Sequence, residues 1–353
     1  MAAATAVASG TSMLAQKQPS LANDNHNVPA VDIHAHYFPQ AYLDLIASEG
    51  KRYGASYEMT PKGWLIRTPA ANNGPLSVKF IDLKQRLADM DAQGVAVQAL
   101  SLTSPMLYWA DEELSSKLAV AWNDAASAAH HAYPSRLVAL LTLPMPYPAR
   151  ALEELNRASK LPGMRGVYMG TNVNHRDLDD PLFEPIFARI EELDLPIFLH
   201  PIQGVGGQRM KPFFLFNLLG NPFDTTIAAA HLIFGGVLDR HPKLTFGLSH
   251  AGGALPLLIG RLDQGWKVRS EVPHLRQAPS AYLQHFTYDT IVHSKSAMEF
   301  VINEVGVERV MVGSDYCFNM GYARPLEFLQ QLDLTTAQRR MMRGGNAARL
   351  LKL

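Results

Sequence analysis

A chain of 353 residues that is 47% hydrophobic can bury a large core, and at this length one α/β barrel needs no second domain. Its 32 Lys and Arg balance 32 Asp and Glu, so no net field draws in a nucleic acid or other polyanion. The single cysteine, Cys317, excludes an internal disulfide and suits a reducing compartment, the cytoplasm.

No run is apolar and long enough to span a bilayer, since even Ile227 to Leu238 is broken by His231 and two glycines, so no membrane partner is expected. Residues 1–29 are rich in Ala, Ser, Thr and Asn and lack a basic start and a clean hydrophobic run, so they read as a disordered tail or the product of an upstream start codon, with a weak secretory signal as the alternative. The catalytic domain is expected over 30–353.

Val31-Asp32-Ile33-His34-Ala35-His36 reads as an apolar strand whose end carries two histidines on one face, because alternate side chains of a strand project together. Pro39 to Glu49 predicts a helix. Residues 51–80 then alternate and turn, with Lys62-Gly63 between Tyr57-Glu58-Met59 and Trp64-Leu65-Ile66, which predicts a small β-hairpin inserted over the pocket.

From Leu83 strands and helices alternate. Leu83 to Gln93 is amphipathic and stops at Gly94; Val95 to Leu102 is a strand, Asp111 to Tyr133 a helix, Leu137 to Leu143 a strand, Ala149 to Lys160 a helix and Gly166 to Met169 a strand. The helix Leu182 to Leu193 leads to a strand ending at His200, and the helix Asp224 to Arg240 to a strand ending at His250. After the helix Leu255 to Gln264 come the strand Phe286 to Thr290, the helix Ala297 to Val305 and a strand ending at Asp315; Ala323 to Gln331 and Thr335 to Met342 are closing helices. Eight such strands predict a (β/α)8 barrel, and no glycine-rich dinucleotide fingerprint follows the first strand to favour an open doubly wound sheet.

His34, His36, His200 and Asp315 fall at the C-terminal ends of the first, fifth and eighth strands, the catalytic rim of such a barrel. Three imidazoles and a carboxylate suit one divalent ion, Zn²⁺ first with Mn²⁺ as the alternative, and no organic cofactor is expected. Ligands so far apart in sequence point to a catalytic rather than a structural site. His250, beside two glycines, is placed to act as general base on metal-bound water, with a fifth-ligand or ligand-orienting role as the alternative. His130, His131, His175, His241, His274, His285 and His293 read as solvated or packing histidines, and His231 as a satisfied core histidine. Arg209 and Lys211, after Gly206-Gly207, either present cations to an anionic substrate or lie on a solvated loop. Arg261 and Asp263 on the helix after His250 read as a salt-bridged pair.

Asp32-Ile33-His34-Ala35-His36-Tyr37-Phe38-Pro39, Met90-Asp91-Ala92-Gln93-Gly94-Val95, His200-Pro201, Gly206-Gly207-Gln208-Arg209-Met210-Lys211, His250-Ala251-Gly252-Gly253, Gly260-Arg261 and Gly313-Ser314-Asp315-Tyr316 with Phe318 together resemble the amidohydrolase-related superfamily, and within it the aminocarboxymuconate-semialdehyde decarboxylase-like group. The resemblance implies metal ligands His34, His36, His200 and Asp315, catalytic roles for His250 and Asp315, an Arg261 that reaches the substrate carboxylate in a neighbouring subunit, and a Phe318 that packs on the substrate. It also implies a homodimer or higher homo-oligomer. Three departures alter the carboxylate clamp and its surroundings: Asn72-Asn73 is followed by Gly74-Pro75 with no arginine, Ile202-Gln203 stands where the family has a more aromatic and acidic stretch, and Cys317 stands where it has proline.

The expected activity is metal-dependent, non-oxidative decarboxylation of a small unsaturated or aromatic carboxylic acid in aromatic-compound catabolism. A hydrolase or hydratase acting on a small carboxylate or ring-cleavage product is the alternative on the same centre, and a non-catalytic binding barrel the third possibility.

Overall fold

The computed structural model describes residues 28–353 apart from Gln203 and His274. Eight parallel strands, β1 (Val31–His36), β2 (Val97–Ser101), β3 (Leu137–Thr142), β4 (Met164–Gly170), β5 (Ile197–His200), β6 (Phe246–Leu248), β7 (Phe286–Asp289) and β8 (Val310–Met311), are hydrogen-bonded in chain order. Every residue of β1 and β3 is buried, as expected where helices cover the outer face of a parallel sheet and side chains fill its inside. The last seam is closed without a regular ladder. Ile33 N donates to Val312 O at 3.0 Å, Asp315 N to His34 O at 2.9 Å and His36 N to Tyr316 O at 2.6 Å.

Local chemistry sets the helix ends. Asp82 accepts from the backbone N–H of Lys84 at 2.8 Å and of Gln85 at 3.1 Å to start Leu83–Gln93, which stops at Gly94 with φ 70°. Asp111 caps Glu112–Ala132 through Leu114 N at 3.0 Å. No described helix is long and apolar enough to cross a membrane.

Three expectations are corrected. The inserted hairpin exists but gains a third antiparallel strand, so that Ser56–Thr60, Gly63–Arg67 and Asn72–Leu76 form one small sheet. Asn-Asn-Gly-Pro carries turn signals that hid the third strand, and Gly74 runs so close to its neighbour that a Cβ would lie 2.5 Å from the Trp64 carbonyl oxygen. The helix expected over Asp224 to Arg240 is two, Asn221–Phe234 and Val237–Arg240, divided where Gly236 takes φ 70°. The strands expected to end on His250 and Asp315 stop at Leu248 and Met311; both residues lie in the turns beyond, at φ 55° and 57°. Most of the expected tail lies outside the described residues, but Val28 O accepts from Arg343 Nε at 2.9 Å, so the barrel holds the chain from there.

Asp224, in the first turn of Asn221–Phe234, is buried and accepts a hydrogen bond from the Thr171 hydroxyl beyond β4. Burial pushes its carboxyl from 3.8 up to about 6, with the Asp177 charge adding to the effect. Folding therefore favours the protonated acid: the benefit is complete below pH 3.8 and is lost as pH rises through about 6. Asp224→Asn should gain stability over the native chain by up to about 3 kcal/mol between about pH 4 and pH 7 in urea unfolding; an equal difference at both pH values contradicts this assignment.

Candidate metal centre

The six residues of β1 place His34 and His36 on one face, and their rings lie 4.9 Å apart between centroids. His200 at the end of β5 brings its ring 4.9 Å from His36 and 5.2 Å from His34. Asp315 completes the group, with Oδ1 3.0 Å from His36 Nε2 and 3.6 Å from His34 Nε2. One potential ligand atom from each of the four residues lies within 4.8 Å of the others, and all four side chains are buried.

Hydrogen bonding decides which ring nitrogens are free. His34 Nδ1 lies 2.7 Å from Asp289 Oδ2 and His200 Nδ1 2.8 Å from Pro201 O; an ionised carboxylate and a carbonyl only accept, so both Nδ1 atoms carry protons. Ser101 donates its hydroxyl proton to Ala35 O at 3.2 Å, so His36 Nδ1 donates to Ser101 Oγ at 3.1 Å. Each Nε2 then presents a lone pair. Those of His34 and His36 face each other at 3.1 Å, and the buried Asp315 Oδ1 has no hydrogen-bond partner. Lone pairs so arranged repel unless a cation lies between them, and separations of this size suit donors sharing one ion at roughly 2.0–2.2 Å. The residues therefore fit a divalent metal.

Burial pushes the imidazoles of His36 and His200 well below the ordinary histidine range, which keeps them in the neutral form a metal requires. Burial also pushes the Asp315 carboxyl up, so a nearby positive charge is needed to keep it ionised. At His34 burial opposes protonation, but the hydrogen bond to Asp289 and the charge of Asp315 outweigh it and raise the pKa. His250 is pushed down chiefly by burial; its ring lies 5.5 Å from those of both His34 and His200, and its Nδ1 has no hydrogen-bond partner among the described residues.

The cluster opens into a cavity of about 760 Å³. Asn72 to Ser77 of the inserted sheet, Phe80, Phe318, Asn217 and Asn221 contribute to its wall, and His200, His250 and Asp315 reach it. Phe318 stands 5.4 Å from His36 and 4.9 Å from Phe80 between ring centroids. Among the described residues no Arg or Lys lines the cavity. Arg209 lies on the exposed turn Gly207–Met210 and Arg261 on an exposed face of Leu255–Val268, both outside it. Asp263 accepts from Ser280 N at 2.8 Å instead of pairing with Arg261. His231 is half-exposed between Asp177 and Asp179, not a core residue.

Asp289 was not anticipated. It accepts from His34, from the backbone N–H of His250 at 3.0 Å and Ala251 at 2.8 Å, and from Ile291 N at 2.9 Å, so one carboxylate orients a ligand and the His250 turn together. Its place at the end of β7 is the signal that identified the other groups; the strand was recognised but its acid was not.

A barrel with three imidazoles and a carboxylate converging at its C-terminal rim defines a mononuclear metal-dependent enzyme. The amidohydrolase family model matches residues 31–353. The chain is 33% identical over 338 residues to 2-amino-3-carboxymuconate-6-semialdehyde decarboxylase of Dictyostelium discoideum, an alignment covering 92% of this chain and 91% of that protein. Among solved structures, IDCase of Metarhizium anisopliae matches with a TM-score of 0.83 at 26% identity, over 92% of this chain and 97% of the other. The 5-carboxyvanillate decarboxylase of Sphingomonas paucimobilis matches with a TM-score of 0.81 at 26% identity, over 93% and 100%. The chain belongs to the amidohydrolase family, in its aminocarboxymuconate-semialdehyde decarboxylase-like group, and is a carboxy-lyase.

Asp289→Asn keeps the shape but removes the charge that orients His34. Divalent-ion affinity of the apo protein, measured by chelator competition, should fall about 10–100-fold; native affinity contradicts the role given to Asp289.

Proposed function

We propose that this chain is a metal-dependent, non-oxidative decarboxylase of a small aromatic or unsaturated carboxylic acid in aromatic-compound catabolism, with Zn²⁺ as the ion. The observation that carries the reading is the unpartnered ring nitrogen of His250 beside the four-residue cluster, at the floor of an aromatic-edged cavity. The relatives act on an open-chain unsaturated acid and on a substituted aromatic acid, and this cavity has room for either.

His34, His36 and His200 through Nε2, with Asp315 through Oδ1, would hold the ion. When bound it would supply Lewis-acid stabilisation of the negative charge that develops on the rest of the substrate as CO₂ departs. Phe318 and Phe80, both in the cavity wall and 4.9 Å apart between ring centroids, would pack against a planar substrate. His250, which burial favours in the neutral form, would relay a proton taken up from solvent to the carbon that bears the carboxylate: a C–H bond forms there, the C–C bond breaks, and CO₂ leaves while its former bonding electrons stay with the product. Net, a carboxylate and a proton become the decarboxylated product and CO₂, so no oxidant or organic cofactor is consumed.

Among the described residues the wall has no Arg or Lys, which bears on Arg261. Exposed on Leu255–Val268, one turn beyond Leu257, which is 70% exposed, it is offered to a second copy of the chain rather than to its own cavity. Phe223 and Ile227, both exposed and one turn apart on Asn221–Phe234, add apolar surface for a homodimer. Arg209, also outside the cavity, would reach substrate only by movement of its turn.

The protein supplied with Zn²⁺ should release one CO₂ per acid consumed under anaerobic conditions. His250→Ala should lower kcat about 10²–10⁴-fold with metal content kept, and Arg261→Ala should raise KM. Appearance of ¹⁸O from labelled water in the retained product, without CO₂, would establish a hydrolase or hydratase instead.

A further inference from the structure

Arg86, on the helix Leu83–Gln93, is fully buried, and a guanidinium does not shed its proton. Among the described residues no carboxylate lies within ion-pair distance of it. The charge is met differently. Its guanidinium carbon stands 4.5 Å from the Tyr316 ring centre and 5.7 Å from that of Tyr37. Nη2 donates to the backbone carbonyl of His36, and Nη1 donates to Gln98 Oε1 at 3.0 Å.

Gln98 passes the interaction on, because its Nε2 donates to Asp32 Oδ2 at 3.0 Å. The amide thus spans a cation and an anion too far apart to pair, giving each a partner of the right polarity. Asp32 in turn holds the residue before Asp315: its Oδ1 accepts from Ser314 N at 3.0 Å and its Oδ2 from Ser314 Oγ at 2.5 Å. It also accepts from His34 N at 3.1 Å.

These bonds form a circuit. His36 and Asp315 face each other at 3.0 Å across the metal site, and they are joined a second time through Arg86, Gln98, Asp32 and Ser314. The circuit spans the seam where β8 meets β1, which is joined by single backbone hydrogen bonds from Ile33, His36 and Asp315 rather than by a regular ladder. We propose that Arg86, Gln98 and Asp32 are a positioning relay that sets the separation of His36 and Asp315 across this seam, and with it the affinity and coordination geometry of the metal site. The inference rests on the metal centre and is independent of the substrate reading.

The test uses the apo protein with Zn²⁺ affinity, measured by chelator competition, and the visible absorption spectrum of bound Co²⁺ as readouts. Arg86→Met should weaken Zn²⁺ binding about 10–100-fold and alter the Co²⁺ spectrum. Arg86→Lys, which keeps the charge and a donor but not the planar fork, should restore part of the affinity. Ser314→Ala removes one bond of the circuit and no charge, and should cost about tenfold with an altered spectrum. If Arg86→Met fails to fold, the other two variants decide. Native affinity and spectrum in Arg86→Lys and Ser314→Ala overturn the proposal, and so does weakened binding with an unchanged spectrum, which means general loosening of the fold.

Discussion

Three imidazole lone pairs and a buried carboxylate oxygen gathered at one place repel one another, and a cation among them would turn that repulsion into attraction. The rest of the site is arranged around that constraint. Burial keeps His36 and His200 neutral, and acceptors at each Nδ1 leave Nε2 free at the centre. The three acceptors differ in kind, a carboxylate, a hydroxyl and a backbone carbonyl, so the ligands differ in basicity although they share an element type.

The barrel delivers these groups from distant points of the chain because its closing seam carries two of them. β1 brings the histidine pair, and the turn after β8 brings Asp315, whose own backbone N–H donates to His34 O at 2.9 Å. Closing the barrel and assembling the metal site are therefore one event. The polar network of Asp32 and Arg86 is buried at this seam.

Much of this was legible in the sequence, for a definable reason. Strand periodicity put His34 and His36 on one face, and the rule that barrel chemistry sits at strand ends selected His200 and the region of Asp315. Periodicity does not encode what happens past a strand end. His250 and Asp315 occupy left-handed turns that depend on hydrogen bonds from remote residues, Asp289 for one and His34 for the other. Helical periodicity over Leu83–Gln93 does not predict that Arg86 is buried, because Gln98, His36 and the two tyrosine rings that surround it are brought there by the fold. Asp289 lay at the end of a recognised strand and was passed over because its role is to orient a ligand, not to be one. The insertion over the cavity and its missing arginine after Asn72-Asn73 are legible in the sequence; that Arg209 and Arg261 also lie outside the wall, leaving it without Arg or Lys among the described residues, depends on the fold.

The central claim is that His34, His36, His200 and Asp315 hold one divalent ion. Metal-edge X-ray absorption of the purified protein tests it most directly. The account predicts one ion per chain bound by imidazole nitrogens and carboxylate oxygen. Absence of a stoichiometric ion, or a sulfur ligand from Cys317, would contradict it.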